Sequence, residues 1–254
     1  FYNNEQEDFS NEVNHGPMIV DNNILLSEIS ILNASQGTAH MHNLITGKII
    51  LRPVPNRFTP YHFAHSTSVK GLMTILTGDD RYFNNILTFN HNLKPYRGPS
   101  YDKVHTGLDA YNEHPLSTDY WYKGNRPDDY ANHKLPVYIS SNLYYNKALP
   151  FNREKFSSES RTYSPKISID REGDALFINL EIDNSFKEMK TKLITTKVMG
   201  TAFQSEEAFE NNDSSPVSID VDINGQKRNY NPTVGPFERL KKGKNRIKIF
   251  TFNH

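Results

Sequence analysis

The chain contains no cysteine, a single tryptophan and no net charge: 29 lysines and arginines balance 29 aspartates and glutamates over 254 residues. Without cysteine there is no disulfide, no thiol nucleophile and no thiolate-held metal. Balanced charge argues against a nucleic-acid partner, which asks for a basic surface. No apolar run approaches the roughly 18–20 residues that span a bilayer, so no membrane partner is expected. The opening Phe1-Tyr2-Asn3-Asn4 has no initiator Met and none of the basic and apolar segments of a signal peptide. The chain reads as cut from something longer, and its compartment stays open.

What is present is unevenly spread. Nine of the ten histidines lie between His15 and His133, and 12 of the 14 tyrosines precede Asn146. Polar ring chemistry is thus expected in the first part of the chain, with scaffold after it. The length suits one large domain or two ordinary ones.

A repeat emerges from pairs of polar residues followed by apolar ones. Asp21-Asn22-Asn23-Ile24-Leu25, His42-Asn43-Leu44-Ile45, Asn84-Asn85-Ile86-Leu87 and Ser141-Asn142-Leu143-Tyr144 share it, and Phe1-Tyr2-Asn3-Asn4 reads as the tail of another copy. The second Asn falls at 4, 23, 43, 85 and 142. A short strand recurring about every 20 residues, with no helical pattern between, is the signature of stacked coils that share one core. Asn suits the corners because it tolerates left-handed backbone and can hydrogen-bond along the stack. The expected fold is all-β: a right-handed parallel β-helix over 1–160, with long loops inserted at about 52–80 and 91–136. An antiparallel sandwich is the competing reading.

From about residue 161 to 254 a β-rich cap region is expected. Lys166–Asp170 and Ala175–Ile182 flank a Glu172-Gly173-Asp174 turn, and Val217–Ile223 alternates before Asn224-Gly225, a hairpin signal. Arg246–Phe250 reads as a further strand. Ser185–Lys192 is the one short helix expected.

Several residues carry chemistry. Glu12-Val13-Asn14-His15-Gly16-Pro17 places a carboxylate near an imidazole, although a lone Glu there is more often a solvated surface charge. Thr59-Pro60-Tyr61-His62 and His65-Ser66-Thr67 form the densest polar cluster. A metal held by His62 and His65 with Asp79 and Asp80 finds no recognised ligand spacing. Ser66 beside His65 lacks the G-x-S-x-G elbow of a hydrolase. Loops that bind a sugar fit better. His40 and His42 read as hydrogen-bonded histidines inside a strand. Trp121 reads as a stacking platform or as loop packing. The basic Arg239–Lys244 run reads as a solvated turn.

These words, with Ala34-Ser35-Gln36-Gly37, Gly78-Asp79-Asp80-Arg81, Phe209-Glu210-Asn211 and Gly235-Pro236-Phe237 following in order, resemble the later part of the β-xylosidases of glycoside hydrolase family 120. The resemblance implies a retaining enzyme with an Asp nucleophile and a Glu acid/base on a right-handed parallel β-helix. Glu12 matches the acid/base. The nucleophile's tryptophan-flanked motif is missing here, so the resemblance is to a carboxy-terminal portion whose missing N-terminal part supplies that Asp.

The expectation is therefore part of an exo-glycosidase hydrolysing short xylo-oligosaccharides. Glu12 is its acid/base, His62 and His65 line the sugar pocket, and His15 orients the site. No cofactor and no metal are implied; self-association as a homo-oligomer stays open. Two alternatives remain. A β-helix polysaccharide lyase would need cations for a uronate, and the first 50 residues carry only Lys48. A catalytically silent carbohydrate-binding β-helix needs no nucleophile at all.

Overall fold

The computed structural model describes residues 1–89, 93–118 and 124–252. The chain is all-β and runs in successive passes. The first carries β1 (Phe9–Glu12), β2 (Met18–Asp21) and β3 (Ile24–Leu25), and the second β4 (Ile29–Ala34), β5 (Thr38–Met41) and β6 (Leu44–Ile45). The third opens with β7 (Lys48–Leu51) and leaves into a hairpin of β8 (Val54–His62) and β9 (Val69–Ile75). It returns as β10 (Arg81–Phe83) and β11 (Ile86–Leu87). After two 3-10 turns come β12 (Tyr138–Ser140), β13 (Leu143–Tyr145) and β14 (Ser158–Ser160).

Equivalent strands of successive passes pair in parallel. One sheet runs β1-β4-β7, a second β12-β10-β5-β2 and a third β14-β13-β11-β6-β3. The first two passes repeat at 20 residues, as Ile24 pairs with Leu44. The inserted segments are partly structured: the antiparallel β8–β9 hairpin occupies the first, and the 3-10 turns Leu108–Tyr111 and Pro127–Tyr130 the second.

The asparagine repeat divides two jobs between neighbouring residues. Asn22, His42, Asn84 and Ser141 hold the left-handed corners, with φ between 55° and 64°. The residue after each builds a ladder. The Asn23 backbone N–H donates to Asn43 Oδ1 at 2.8 Å, Asn43 to Asn85 Oδ1 at 2.9 Å, and Asn85 to Asn142 Oδ1 at 3.0 Å. Asn142 donates to Glu154 Oε1 at 2.9 Å, so a carboxylate stands where a fifth amide would be.

The copy expected at Phe1–Asn4 does not belong to this ladder. Tyr2 bridges to Leu26 and the Asn4 N–H donates to Ser27 Oγ, which puts Asn4 past the corner rather than on it. Similar letters hid a shift of several residues.

Leu25, Ile45, Leu87 and Tyr144 point into the stack with Ile31, Ile49 and Tyr82. The alternate residues Ile24, Leu44, Ile86 and Leu143 face outward, where an antiparallel sheet covers them with Ile178, Leu180 and Ile182. That sheet contains β15 (Lys166–Glu172), β16 (Ala175–Ile182) and β17 (Gly243–Thr251), so its first hairpin is where the alternation places it. The expected helix at Ser185–Lys192 is a single 3-10 turn at Ser185–Glu188, and the α-helix is a short one, α1 (Thr196–Met199). Val217–Ile223 forms only isolated bridges around its Asn224-Gly225 turn. Its Ile219 instead packs with Met199 and Phe209 on the outward face of Ala39, Met41 and Phe83. Among the described residues no helix is long and apolar enough to cross a membrane.

Candidate functional site

The site is built where three chain corners stack without side chains. Gly16, Gly37 and Gly78 all have left-handed φ of 72–90°. A Cβ on Gly16 would lie 2.4 Å from the Gly37 carbonyl oxygen, so only glycine lets the corners approach this closely.

Beside this column His15 is buried with both ring nitrogens engaged. Gln36 Nε2 donates to Nδ1 at 2.9 Å, and Nε2–H donates to Thr59 Oγ1 at 2.8 Å. Thr59 passes its own proton to the Met73 carbonyl at 3.0 Å, while Gln36 Oε1 accepts from the Leu76 N–H at 2.9 Å. Because Nδ1 must accept from Gln36 Nε2 and Thr59 must accept from Nε2–H, the imidazole is neutral with its proton on Nε2. Burial agrees, pushing the His15 pKa down to about 4. The ring pins the β8–β9 hairpin to the glycine corner and shapes the cleft floor.

The hairpin forms one wall of a cleft of about 440 Å³. His62, Phe63 and His65 reach into it from the hairpin tip, opposite Glu207 and Glu210. Two contacts tie the walls together: a hydrogen bond of His65 Nε2 to Glu210 Oε1 at 2.9 Å and an ion pair of Lys70 Nζ with Glu207 Oε1 at 3.0 Å. His62 instead bonds the Thr67 carbonyl within the hairpin, at 3.0 Å through Nδ1.

The far wall is positioned by a buried pair. Arg81 Nη1 meets Asp79 Oδ1 at 2.6 Å, while Nε and Nη2 donate to the carbonyls of Met199 and Thr201 at 3.0 and 2.6 Å. Its guanidinium lies between the rings of Tyr138 and Phe209, and Asp79 Oδ2 accepts from the Phe203 N–H at 2.6 Å. Burial pushes Asp79 up to about 6 despite Arg81. Asp80 is fully enclosed and pushed up to about 7 by burial, accepting from the Thr38 N–H, Asn33 and the Tyr111 hydroxyl. Both carboxylates therefore serve the interior.

The structure brings His15, His62 and His65 to one cleft. Glu12 is not among the residues that line this cleft: it lies in a separate groove, half exposed, with Arg52 Nη1 3.9 Å from its carboxylate and Ala34 as its partner on β4. Trp121 lies outside the described residues. The hydrogen-bonded role expected of His40 is corrected: among the described residues neither of its nitrogens has a partner, and the ring stacks on Tyr82 at 4.5 Å. His42 sits at a left-handed corner with Nε2 3.1 Å from Asn84 Nδ2. Sequence reasoning gave no roles to Phe63, Glu210 and Arg81. His65 and Glu210 are separated by 145 positions, so no spacing could have joined them.

The fold and cleft define an all-β protein of stacked parallel strands, with a polar, aromatic-rimmed cleft beside one column of corners. Its structural likeness is to XylC, whose structure was solved in complex with xylose: TM-score 0.83, 34% sequence identity, over 95% of this chain. The chain spans 37% of the length of XylC. No family model and no curated sequence matches it.

Proposed function

We propose that the chain is part of a retaining exo-glycosidase, a β-xylosidase acting on short xylo-oligosaccharides, and that its parallel sheets belong to a right-handed parallel β-helix. The observation that carries the reading is the 34% identity to XylC, a protein solved with xylose, across 95% of the chain. It agrees with the resemblance to glycoside hydrolase family 120.

In this reading Glu12 protonates the leaving oxygen and then activates water, His62 and His65 line the sugar cleft, and His15 holds the hairpin in place. No cofactor takes part. A retaining pair needs carboxyl groups about 5–5.5 Å apart, close to the roughly 4.8 Å between neighbouring strands. On one side of Glu12 the paired residue is Ala34. In this reading the nucleophilic Asp comes from an N-terminal part of the longer protein, on a strand added at the edge of β1 away from β4. The pairing with Ala34 also favours a second reading, a carbohydrate-binding unit without catalysis of its own.

Hydrolysis by the longer protein separates the two. Glu12→Gln should slow xylobiose cleavage by about 10²-fold or more. A xyloside with an activated aryl leaving group departs without protonation and should suffer much less, and azide should restore turnover by yielding xylosyl azide. Unchanged xylobiose hydrolysis in Glu12→Gln removes Glu12 from the acid/base role. The 254-residue chain alone should bind sugar and cleave none.

A further inference from the structure

Beyond the histidines, Phe63 and Glu210 are two of the polar and aromatic side chains that line the cleft, with Asn14, Tyr61, Glu207 and Asn212. Phe63, at the hairpin tip, lines the cleft and is 51% exposed. Opposite it, Glu210 has one carboxylate oxygen, Oε1, fixed by His65 at 2.9 Å. Its Oε2 has no protein partner among the described residues. Glu207, the other carboxylate of that wall, is spent on Lys70. The cleft thus presents a half-exposed aromatic ring, with Lys70 Nζ 5.8 Å from its centroid, and one oriented, unfilled acceptor.

That pairing matches a pyranose. A sugar with equatorial hydroxyls exposes C–H groups on its ring faces and O–H donors around its rim. An aromatic ring takes the first and a carboxylate the second. We infer that Phe63 and Glu210 form a subsite for one pyranose ring of the substrate, Phe63 packing on the ring face and Glu210 Oε2 accepting from its hydroxyls. The inference rests on the sugar-cleft reading above. It also changes the part given to His65, whose Nε2 is committed to Glu210: His65 is a positioning residue that aims the carboxylate.

The anchoring fits this role. Arg81 holds the carbonyls of Met199 and Thr201 and packs on Phe209, the residue before Glu210. Lys70 clips the hairpin to Glu207 three residues earlier. Phe63 and Glu210 come from distant parts of the chain, yet the hairpin that carries Phe63 is tied to Glu207 and the Glu210 carboxylate is held by His65, which limits the ordering that binding must supply.

Calorimetric titration of the chain with xylobiose tests the inference. Phe63→Leu and Glu210→Gln should each weaken binding about tenfold. Phe63→Trp should retain it, as should Leu72→Ser, a change at an exposed site on the same hairpin. Glu210→Gln should also lose discrimination between xylobiose and its monodeoxy analogues, and His65→Ala should do the same with His65→Gln restoring it. A purely structural role for either residue would leave that discrimination intact. Melting curves show which variants fold, and each of the two substitutions tests the subsite without the other. If the wild-type chain binds no xylobiose at millimolar concentration, the sugar-cleft reading and this inference fall together. If it binds and either folded variant matches it, the subsite is wrong while the cleft reading stands.

Discussion

At the scale of single residues, His40 shows how far burial can override hydrogen bonding. The ring lies between Tyr82, stacked at 4.5 Å, and Phe9, edge-on at 5.9 Å, with no partner at either nitrogen among the described residues. Burial lowers its pKa to about 3, against an ordinary value of 6.5. The unfolded chain therefore takes up a proton as pH falls through 6.5, which the folded chain refuses until about 3. Stability should drop with acidification across that window, by up to about 1.4 kcal/mol per pH unit for this residue. His40→Phe keeps the stacked ring and removes the unpaired nitrogens. Urea unfolding should find it as stable as the parent or more so at pH 7, with a larger advantage at pH 5. A smaller advantage at pH 5 would mean that the histidine is protonated inside the fold.

At the scale of elements, the ladder and the far wall of the cleft are the parts most exposed to single changes. Asn85 is fully buried and bonds in four directions: Oδ1 accepts from the N–H and Nδ2 of Asn43, and Nδ2 donates to the His40 carbonyl and to Asn142 Oδ1. Asn85→Ala orphans buried groups on both neighbouring passes and should cost on the order of 3 kcal/mol, read from denaturant midpoints. Arg81→Met leaves Asp79 buried without its cation and frees two carbonyls. It should cost about 3–5 kcal/mol, with faster amide exchange over 199–209 than over β5 or β10. The ladder was legible in the sequence because each pass sets an Asn just after the same corner, followed by two apolar residues, so physics repeats as letters. The copy at Phe1–Asn4 misled for the converse reason: letters alone do not carry register. The hairpin at Lys166–Ile182 was legible from period-two alternation around a glycine turn. The cleft was legible on the hairpin side, where histidines cluster locally. Its other wall was not, since Glu207, Glu210 and Arg81 reach it through long-range contacts with no local pattern.

At the scale of the whole molecule, two sets of buried groups push stability in opposite directions with pH. His15 and His114 are lowered to about 4 by burial, so like His40 they lose stability as pH falls below 6.5. Asp79, Asp80 and Glu154 are raised by burial to about 6, 7 and 7, so they bind protons earlier in the folded state. Their contribution improves as pH falls from about 7 and worsens as it rises through that value. Glu154→Gln should therefore compare more favourably with the parent at pH 8 than at pH 5, measured by denaturant unfolding; the reverse order would place the ionised carboxylate as the preferred native form. Glu154 has another consequence, one of polarity. Each asparagine of the ladder accepts from the pass before it and donates to the pass after it, so the column has a direction, like a polymer with distinct ends. At Glu154 the direction stops: one oxygen accepts from Asn142, the other from the Tyr144 hydroxyl, and the Glu154 N–H turns back to the Phe151 carbonyl at 3.0 Å instead of handing a hydrogen on. A second molecule stacking end-on there would meet an acceptor where its own column needs a hydrogen. Stacked parallel strands invite run-on association into fibres, and here the residue that ends the column, Glu154, withholds the hydrogen bond that such growth would require.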